Sequence, residues 1–327
     1  MWFERLTGFR EESLEQVRAN ITLDGNTMRS RVNGRVMVWG ELETPSLAEL
    51  RGRVGALGQN NGRLAVREVI GDAQSLHADA ANAGALFQVA SQFNLLEMTG
   101  PSVTPEQGVG IYEYDHTQGP ACAIACGAGT IYRNYFAPVN GRAGQTADNQ
   151  IDCLADLGEA LGNAGGRLWE MRNGYALPTR AGLEEVSGRL RAAGEGELDG
   201  LRRLLRVGVQ RGAEVTLEGA KHTVSQVYCS ALPLAYAGLP DSLCEAFARL
   251  VLEAAYEATL CAAALNSAEA GNNTVFLTLL GGGAFGNRPE WLVGALRRAL
   301  DLYRRFELDV ALVSRHSSNP LVREICG

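Results

Sequence analysis

Hydrophobic positions along this chain alternate between unbroken apolar runs, which suit buried strands, and the 3.6-residue period of helices. The clearest run is Thr274-Val-Phe-Leu-Thr-Leu-Leu280, rich in β-branched and aromatic residues, which reads as a strand covered on both faces. Leu64 to Ile70, Leu86 to Ala90, Leu168 to Met171, Leu205 to Gln210, Val224 to Ser230 and Asp309 to Val313 read as further strands. Helical spacing marks Glu11 to Ala19, a helix opened by Thr44-Pro45, Ile151 to Leu161, and two polar amphipathic helices between Ala181 and Leu204. In a long helix capped by Asp241, the positions Leu243, Phe247, Leu250, Ala254, Ala258, Cys261 and Leu265 follow the helical period. Met28 to Val32 and Arg35 to Gly40 flank Asn33-Gly34, a strong hairpin signal. Gly58 to Gly62 reads as a loop or soft boundary, and Ser91 to about Gly119 as a long irregular excursion. Strands alternating with helices predict an α/β protein with a layered, mixed sheet.

Composition narrows the partners. The chain has 327 residues and a net charge of −7, which argues against a nucleic-acid backbone or an anionic membrane surface. No stretch of about 18 apolar residues is present, and the N-terminus lacks a signal-peptide pattern. Seven scattered cysteines, embedded in apolar pattern, read as reduced thiols of a cytoplasmic protein. Cys122 and Cys126 stand four apart with no second pair nearby, and the four histidines are dispersed, so no metal site is expected.

After the apolar run comes Gly281-Gly-Gly-Ala-Phe-Gly-Asn287 and a helix that starts near Pro289. Asn287 as N-cap with Glu290 at N3, and Pro289 in the first turn, would place bare N–H groups beside a positive helix end. That combination is a phosphate cradle. Gly281, Gly283 and Gly286 also fit a dinucleotide-fold fingerprint, but the next strand ends Val313-Ser-Arg-His316 without an acid, and eleven residues follow. A Walker loop fails because no Gly-Lys-Ser/Thr follows. Close packing of helix on sheet is the remaining structural explanation of the glycines.

A second constellation precedes it. One strand ends in Gly71-Asp72, and the next ends Phe87-Gln-Val-Ala-Ser-Gln-Phe-Asn94. Together with the Thr274 to Val313 ending, this resembles the macrodomain family over about Leu64 to His316. The long excursion makes it most similar to the poly(ADP-ribose)-glycohydrolase-like branch, which includes a bacterial effector that removes ADP-ribose from ubiquitin. The resemblance implies a three-layer α/β/α sandwich with an N-terminal extension (residues 1–62) packed on an ADP-ribose-binding domain (63–327). It implies that Asp72 accepts from the adenine amino group and that Asn94 contacts the distal ribose. Gly281, Gly282, Gly283, Ala284, Phe285, Gly286 and Asn287 would wrap the diphosphate. Asp72 as a plain helix cap and Phe285 as core are the structural alternatives.

The glycohydrolase signature of a glycine triplet followed by paired glutamates is absent after Asn94. In its place stand four carboxylates within nineteen residues: Glu97, Glu106, Glu113 and Asp115. Glycosidic cleavage passes through an oxocarbenium-like state, which needs one acid on the leaving oxygen and one carboxylate for charge or water. Glu106 is expected as the main acid/base, with Asp115 and Glu97 as partners. The expected function is metal- and cofactor-independent hydrolysis of an ADP-ribose linkage on a modified protein, ubiquitin or another. The alternative is a reader that binds ADP-ribose without cleaving it.

Overall fold

The structure, a computed structural model, describes residues 1–58 and 61–327. The chain starts with helices α1 (Trp2–Thr7) and α2 (Leu14–Asn20) and an antiparallel sheet of β1 (Ile21–Asp24), β2 (Thr27–Ser30) and β3 (Val36–Val38). β4 (Glu41–Glu43) and α3 (Leu47–Ala56) follow. Ser46 Oγ accepts from the Glu49 N–H while Glu49 returns to the Ser46 N–H, a capping box that starts α3. Next come β5 (Ala65–Ile70), α4 (Ala73–Ala78), β6 (Leu86–Ala90), α5 (Gln118–Ala125) and α6 (Gly127–Tyr135). Two hairpins, β7 (Pro138–Val139) with β8 (Arg142–Ala143) and β9 (Trp169–Arg172) with β10 (Tyr175–Pro178), bracket α7 (Ala155–Leu161). The remainder is α8 (Arg180–Ala192), α9 (Glu195–Arg202), β11 (Gly208–Glu214), β12 (Thr223–Cys229), α10 (Asp241–Ala270), β13 (Thr274–Leu277), α11 (Pro289–Tyr303), β14 (Asp309–Ser314) and α12 (Pro320–Cys326).

Seven strands form the central mixed sheet, in the order β4-β11-β12-β6-β13-β14-β5. β11 is antiparallel to β4 and β12, whereas β12, β6, β13, β14 and β5 run parallel. Strand alternation sends Leu86, Val275, Leu277, Val310 and Leu312 to one face, where they join α3, α8, α10 and α11 in the main core. Phe87, Phe276, Ala311 and Val224 point to the other face, beside α4 and α5. The result is the expected three-layer α/β/α architecture. α10 is buried on nearly every side because α3, α8 and α11 cover what the sheet does not. Its buried Glu257 is matched by Arg51 at 2.5 Å and Arg298 at 2.7 Å, so this charge is paired where it is buried.

Several sequence expectations shift. The apolar run forms a strand only to Leu277, and Thr278 to Leu280 already belong to the following loop. Asn287 is not the N-cap of α11; Arg288 occupies that position without a side-chain cap bond, and Pro289 opens the helix. Pro240, not Asp241, precedes α10. Within residues 1–62, β4 pairs with β11, and Leu47, Leu50 and Val54 of α3 enter the main core. Residues 1–40 build a separate cluster of Trp2, Phe3, Leu6, Val17, Met28 and Met37 against Leu96, Met98 and Tyr112 of the long excursion. Gln59 and Asn60 of the expected Gly58 to Gly62 loop lie outside the described residues.

Candidate active site

A cleft opens at the carboxyl ends of the parallel strands because β6 and β13 pair over only two residue pairs, Leu86 with Val275 and Phe87 with Phe276. Beyond Phe87 the two strands part. Gln118, at the start of α5, takes the vacated ladder positions: its amide oxygen accepts from Ala90 N–H at 2.9 Å and its NH2 donates to the Gln88 carbonyl at 2.8 Å. The side chain thus satisfies backbone groups that a neighbouring strand would otherwise cover. Divergence of strand connections at this edge is where open α/β sheets hold ligands.

The cleft has two adjoining chambers that share Asp115, Thr117, Gln118 and Thr278. The larger, about 550 Å³, has an apolar floor that includes Leu76, Phe87, Phe276 and Val313, with Asp72, Arg315 and His116 among its polar walls. The smaller, about 250 Å³, is lined by Ser91, Gln92, Glu97, Tyr175, Tyr236 and the glycine loop. One larger and one smaller compartment, mostly apolar with few polar groups, is the form of a small-molecule site.

Glu97 lies at the base of the smaller chamber. It is 1% exposed, and among the described residues neither carboxyl oxygen has a hydrogen-bond partner. Burial pushes its pKa up to about 8, only partly offset by Arg133 at 3.8 Å and by the neighbouring Tyr112 hydroxyl. Arg133 is itself fully buried and engaged elsewhere, donating to the Leu95 carbonyl, Gln210 and Thr130 and lying 3.6 Å over the Tyr228 ring. Its charge is therefore shared rather than spent on Glu97. Burial thus favours the protonated form of Glu97. Asp115, half-buried at the junction of the chambers, accepts from the Thr117 N–H at 2.9 Å and adds like-charge pressure on Glu97.

The other expected site residues are distributed unevenly. Glu106 is exposed and does not line the cleft; its carboxylate accepts from the Ala147 N–H at 2.8 Å. Asn94 is fully buried behind the cleft, with its NH2 on Gln150, its carbonyl oxygen accepting from Leu96 N–H, and Gly174 packed against it. The turn at Gln92 to Leu96, where Leu95 takes a positive φ, points the asparagine inward and leaves Ser91 and Gln92 on the chamber wall. Asp72 lines the larger chamber and also caps α4, accepting from Ser75 N–H and Oγ, which hold its pKa below the usual range. Glu113 sits on that chamber's wall beside Arg5 and accepts from the Trp2 N–H.

Of the glycine loop, Gly281, Gly283, Ala284 and Phe285 line the smaller chamber, whereas Gly282, Gly286 and Asn287 do not. Gly281 has φ +74°, and a Cβ there would run into Ala231 and the Asn287 amide. Gly283 faces open space. Asn287 works as a brace, donating to the Leu232 and Gly281 carbonyls and so tying the loop to the segment after β12.

Sequence reasoning missed Gln118, Thr278, Tyr175 and Tyr236. Tyr175 and Tyr236 meet Phe285 at centroid distances of 5.6 and 6.3 Å and form an aromatic wall of the smaller chamber. The signal for Tyr175 was present: Asn173-Gly174 takes positive φ at both residues and joins Arg172 to Tyr175 in a two-residue hairpin. Among the described residues no group of three or more His, Cys, Asp or Glu is placed to hold a metal ion. No described helix is long and apolar enough to cross a membrane.

No protein-family model matches the sequence, and no curated protein is significantly similar to it. Solved structures are similar at the level of chain trace. Poly(ADP-ribose) glycohydrolase from Thermomonospora curvata matches with 13% identity and a TM-score of 0.47, covering 96% of this chain and 94% of that one. The same enzyme bound to the inhibitor ADP-HPD gives a TM-score of 0.46 at 13% identity, with the same coverage of 96% and 94%. Poly(ADP-ribose) glycohydrolase from Deinococcus radiodurans in complex with ADP-ribose gives 0.43 at 11% identity, over 97% and 95%.

Proposed function

We propose that this protein hydrolyses a glycosidic linkage of ADP-ribose, with Glu97 as general acid and Asp115 as its carboxylate partner. The observation that carries the reading is Glu97: a buried carboxyl with no hydrogen-bond partner among the described residues, its pKa raised by burial, on the wall of a cavity that also holds a second carboxylate. Two carboxyl groups in contrasting environments are what glycoside hydrolysis needs. The neutral acid protonates the departing oxygen as the C–O bond at the anomeric carbon breaks. Asp115 steadies the positive charge that develops there or takes a proton from the attacking water.

The base occupies the larger chamber near Asp72, the distal ribose lies beside Glu97 and Phe285, and the diphosphate crosses the junction. There the glycine loop faces the start of α5, where Thr117 makes no side-chain cap bond and leaves its hydroxyl free for a ligand. The Gly71-Asp72 strand end and the later glycine loop, in that order in the sequence, support the same placement. The leaving group is a modified protein, ubiquitin or another.

The test is release of free ADP-ribose from a panel of ADP-ribosylated substrates of different linkage, parent against Glu97→Gln. Release by the parent and its loss in the variant, with ADP-ribose binding retained in calorimetry, supports the reading. Binding without release from any linkage makes the protein a reader. No binding at millimolar ADP-ribose removes both.

A further inference from the structure

The excursion that carries Glu97 and Asp115 is held in place by a carboxylate from the N-terminal segment. Glu11 accepts from the Val109 N–H at 3.0 Å, the Gly110 N–H at 2.6 Å and the Tyr135 hydroxyl at 2.6 Å. The backbone is shaped to admit it. Gly108 has φ +84°, and a Cβ on Gly108 or Gly110 would come within 2.5 or 2.7 Å of a Glu11 carboxylate oxygen. Consecutive N–H groups closing on one carboxylate form an anion nest, and here the occupant is the chain's own side chain. From that nest a single 3-10 turn, Gly110–Tyr114, leads to the site. Tyr112 on this turn is fully buried, and its hydroxyl accepts the Glu97 N–H at 3.0 Å; Asp115 follows directly.

We propose that Glu11 is a positioning residue for the acid/base pair: by clamping Val109 and Gly110 it holds Tyr112 against Glu97 and Asp115 at the chamber junction. This rests on the reading of Glu97 as the acid. An amide cannot replace the clamp, because it accepts at one oxygen only and would turn an NH2 toward an N–H or O–H donor. Without the clamp the turn loosens, water reaches Glu97, and the acid loses the dry environment that keeps it protonated. The groups facing Glu97 are Arg133 from α6, Tyr112 and Asp115 from the excursion, Cys122 from α5 and Tyr228 from β12; those facing Glu11 are Tyr135 and Tyr112.

The experiment compares the full-length parent with Glu11→Gln and Tyr135→Phe. Infrared titration follows the protonated carboxyl band that disappears in Glu97→Gln. Glu11→Gln is expected to lower that band's midpoint by about one pH unit. Turnover on a susceptible ADP-ribosylated substrate should fall by about tenfold or more at a KM within about twofold of the parent's. Tyr135→Phe removes one of three bonds and should shift both readouts the same way by less. A purely structural role would lower the melting temperature while leaving midpoint and turnover per folded molecule unchanged, and that result overturns the proposal. If Glu11→Gln does not fold, the two readouts on Tyr135→Phe decide it: an unmoved midpoint overturns it. A parent that turns over nothing defeats the catalytic reading instead, and the infrared shift still decides whether Glu11 sets the Glu97 environment.

Discussion

At the scale of single residues, the site is built on a group kept where its ordinary ionised form is disfavoured. The pKa of Glu97 is raised from 4.5 to about 8, so the unfolded chain ionises there long before the folded one. Any stability difference tied to this group is absent below about pH 4.5 and turns steadily against the folded state as pH rises toward 8. Glu97→Gln is therefore expected to raise the melting temperature at pH 8 by more than at pH 5, while cutting ADP-ribose release by roughly 10²–10⁴-fold. Thermal scans at the two pH values, beside the release assay, check both halves. Asp115→Asn should cost turnover of similar order, and the double variant should lose less than the product. Glu106→Gln should release ADP-ribose at the parental rate, because its carboxylate serves the Ala147 N–H outside the cleft. The sequence showed the cluster of four carboxylates but not which one is enclosed. Burial of Glu97 comes from the Gln92 to Leu96 turn and from Gly119 above it, contacts between distant segments that no local pattern records.

At the scale of elements, the glycine loop separates conformation from space. Gly281→Ala meets both a positive φ and a blocked Cβ, so it should destabilise the fold by about 1–3 kcal/mol in denaturant unfolding. Gly283→Val meets no neighbour and should fold normally, yet bind ADP-ribose weakly by calorimetry because its side chain projects into the smaller chamber. Equal binding by this variant and the parent would place the ligand elsewhere. Asp72→Ala should cost about 1 kcal/mol through loss of the α4 cap, before any effect on base recognition. Hairpins show how far local signals reach. Asn140-Gly141 and Asn173-Gly174 have positive φ at both residues and make tight two-residue turns, while Asn33-Gly34 sits in a wider loop between β2 and β3. The dipeptide marks all three, but only the register of flanking strands fixes the turn. The long helices were legible for different reasons: α8 buries one face along its length, and α10, enclosed on most sides, carries helically spaced apolar positions over thirty residues. The short α4, α5 and α6 were not, since their buried residues are set by packing against the sheet and the N-terminal cluster.

At the scale of the whole molecule, two buried groups with opposite pKa shifts weaken stability at opposite ends of the pH range. His77, enclosed between Ala73, Gln226 and the Phe87 ring, has its pKa pushed down to about 4 by desolvation. Its folded pKa is depressed, so its contribution is complete above about pH 6.5 and is lost as pH falls toward 4. Denaturant midpoints measured from pH 4 to 9 should decline at both ends, the acid limb reduced in His77→Gln and the alkaline limb in Glu97→Gln. Fold class was the most legible property, because alternating buried strands and amphipathic helices leave few layered arrangements open. Strand order was not, since it depends on pairing between remote segments. That pairing has a cost during synthesis. Arg67 on β5 meets Asp309 on β14 across 242 residues, so this edge of the sheet stays open until almost all the intervening chain has left the ribosome. At about 5–20 residues per second that is a wait of roughly 12–50 s. Through that interval β5 is a strand without its partner, and its unsatisfied amides are open to pairing with other nascent chains.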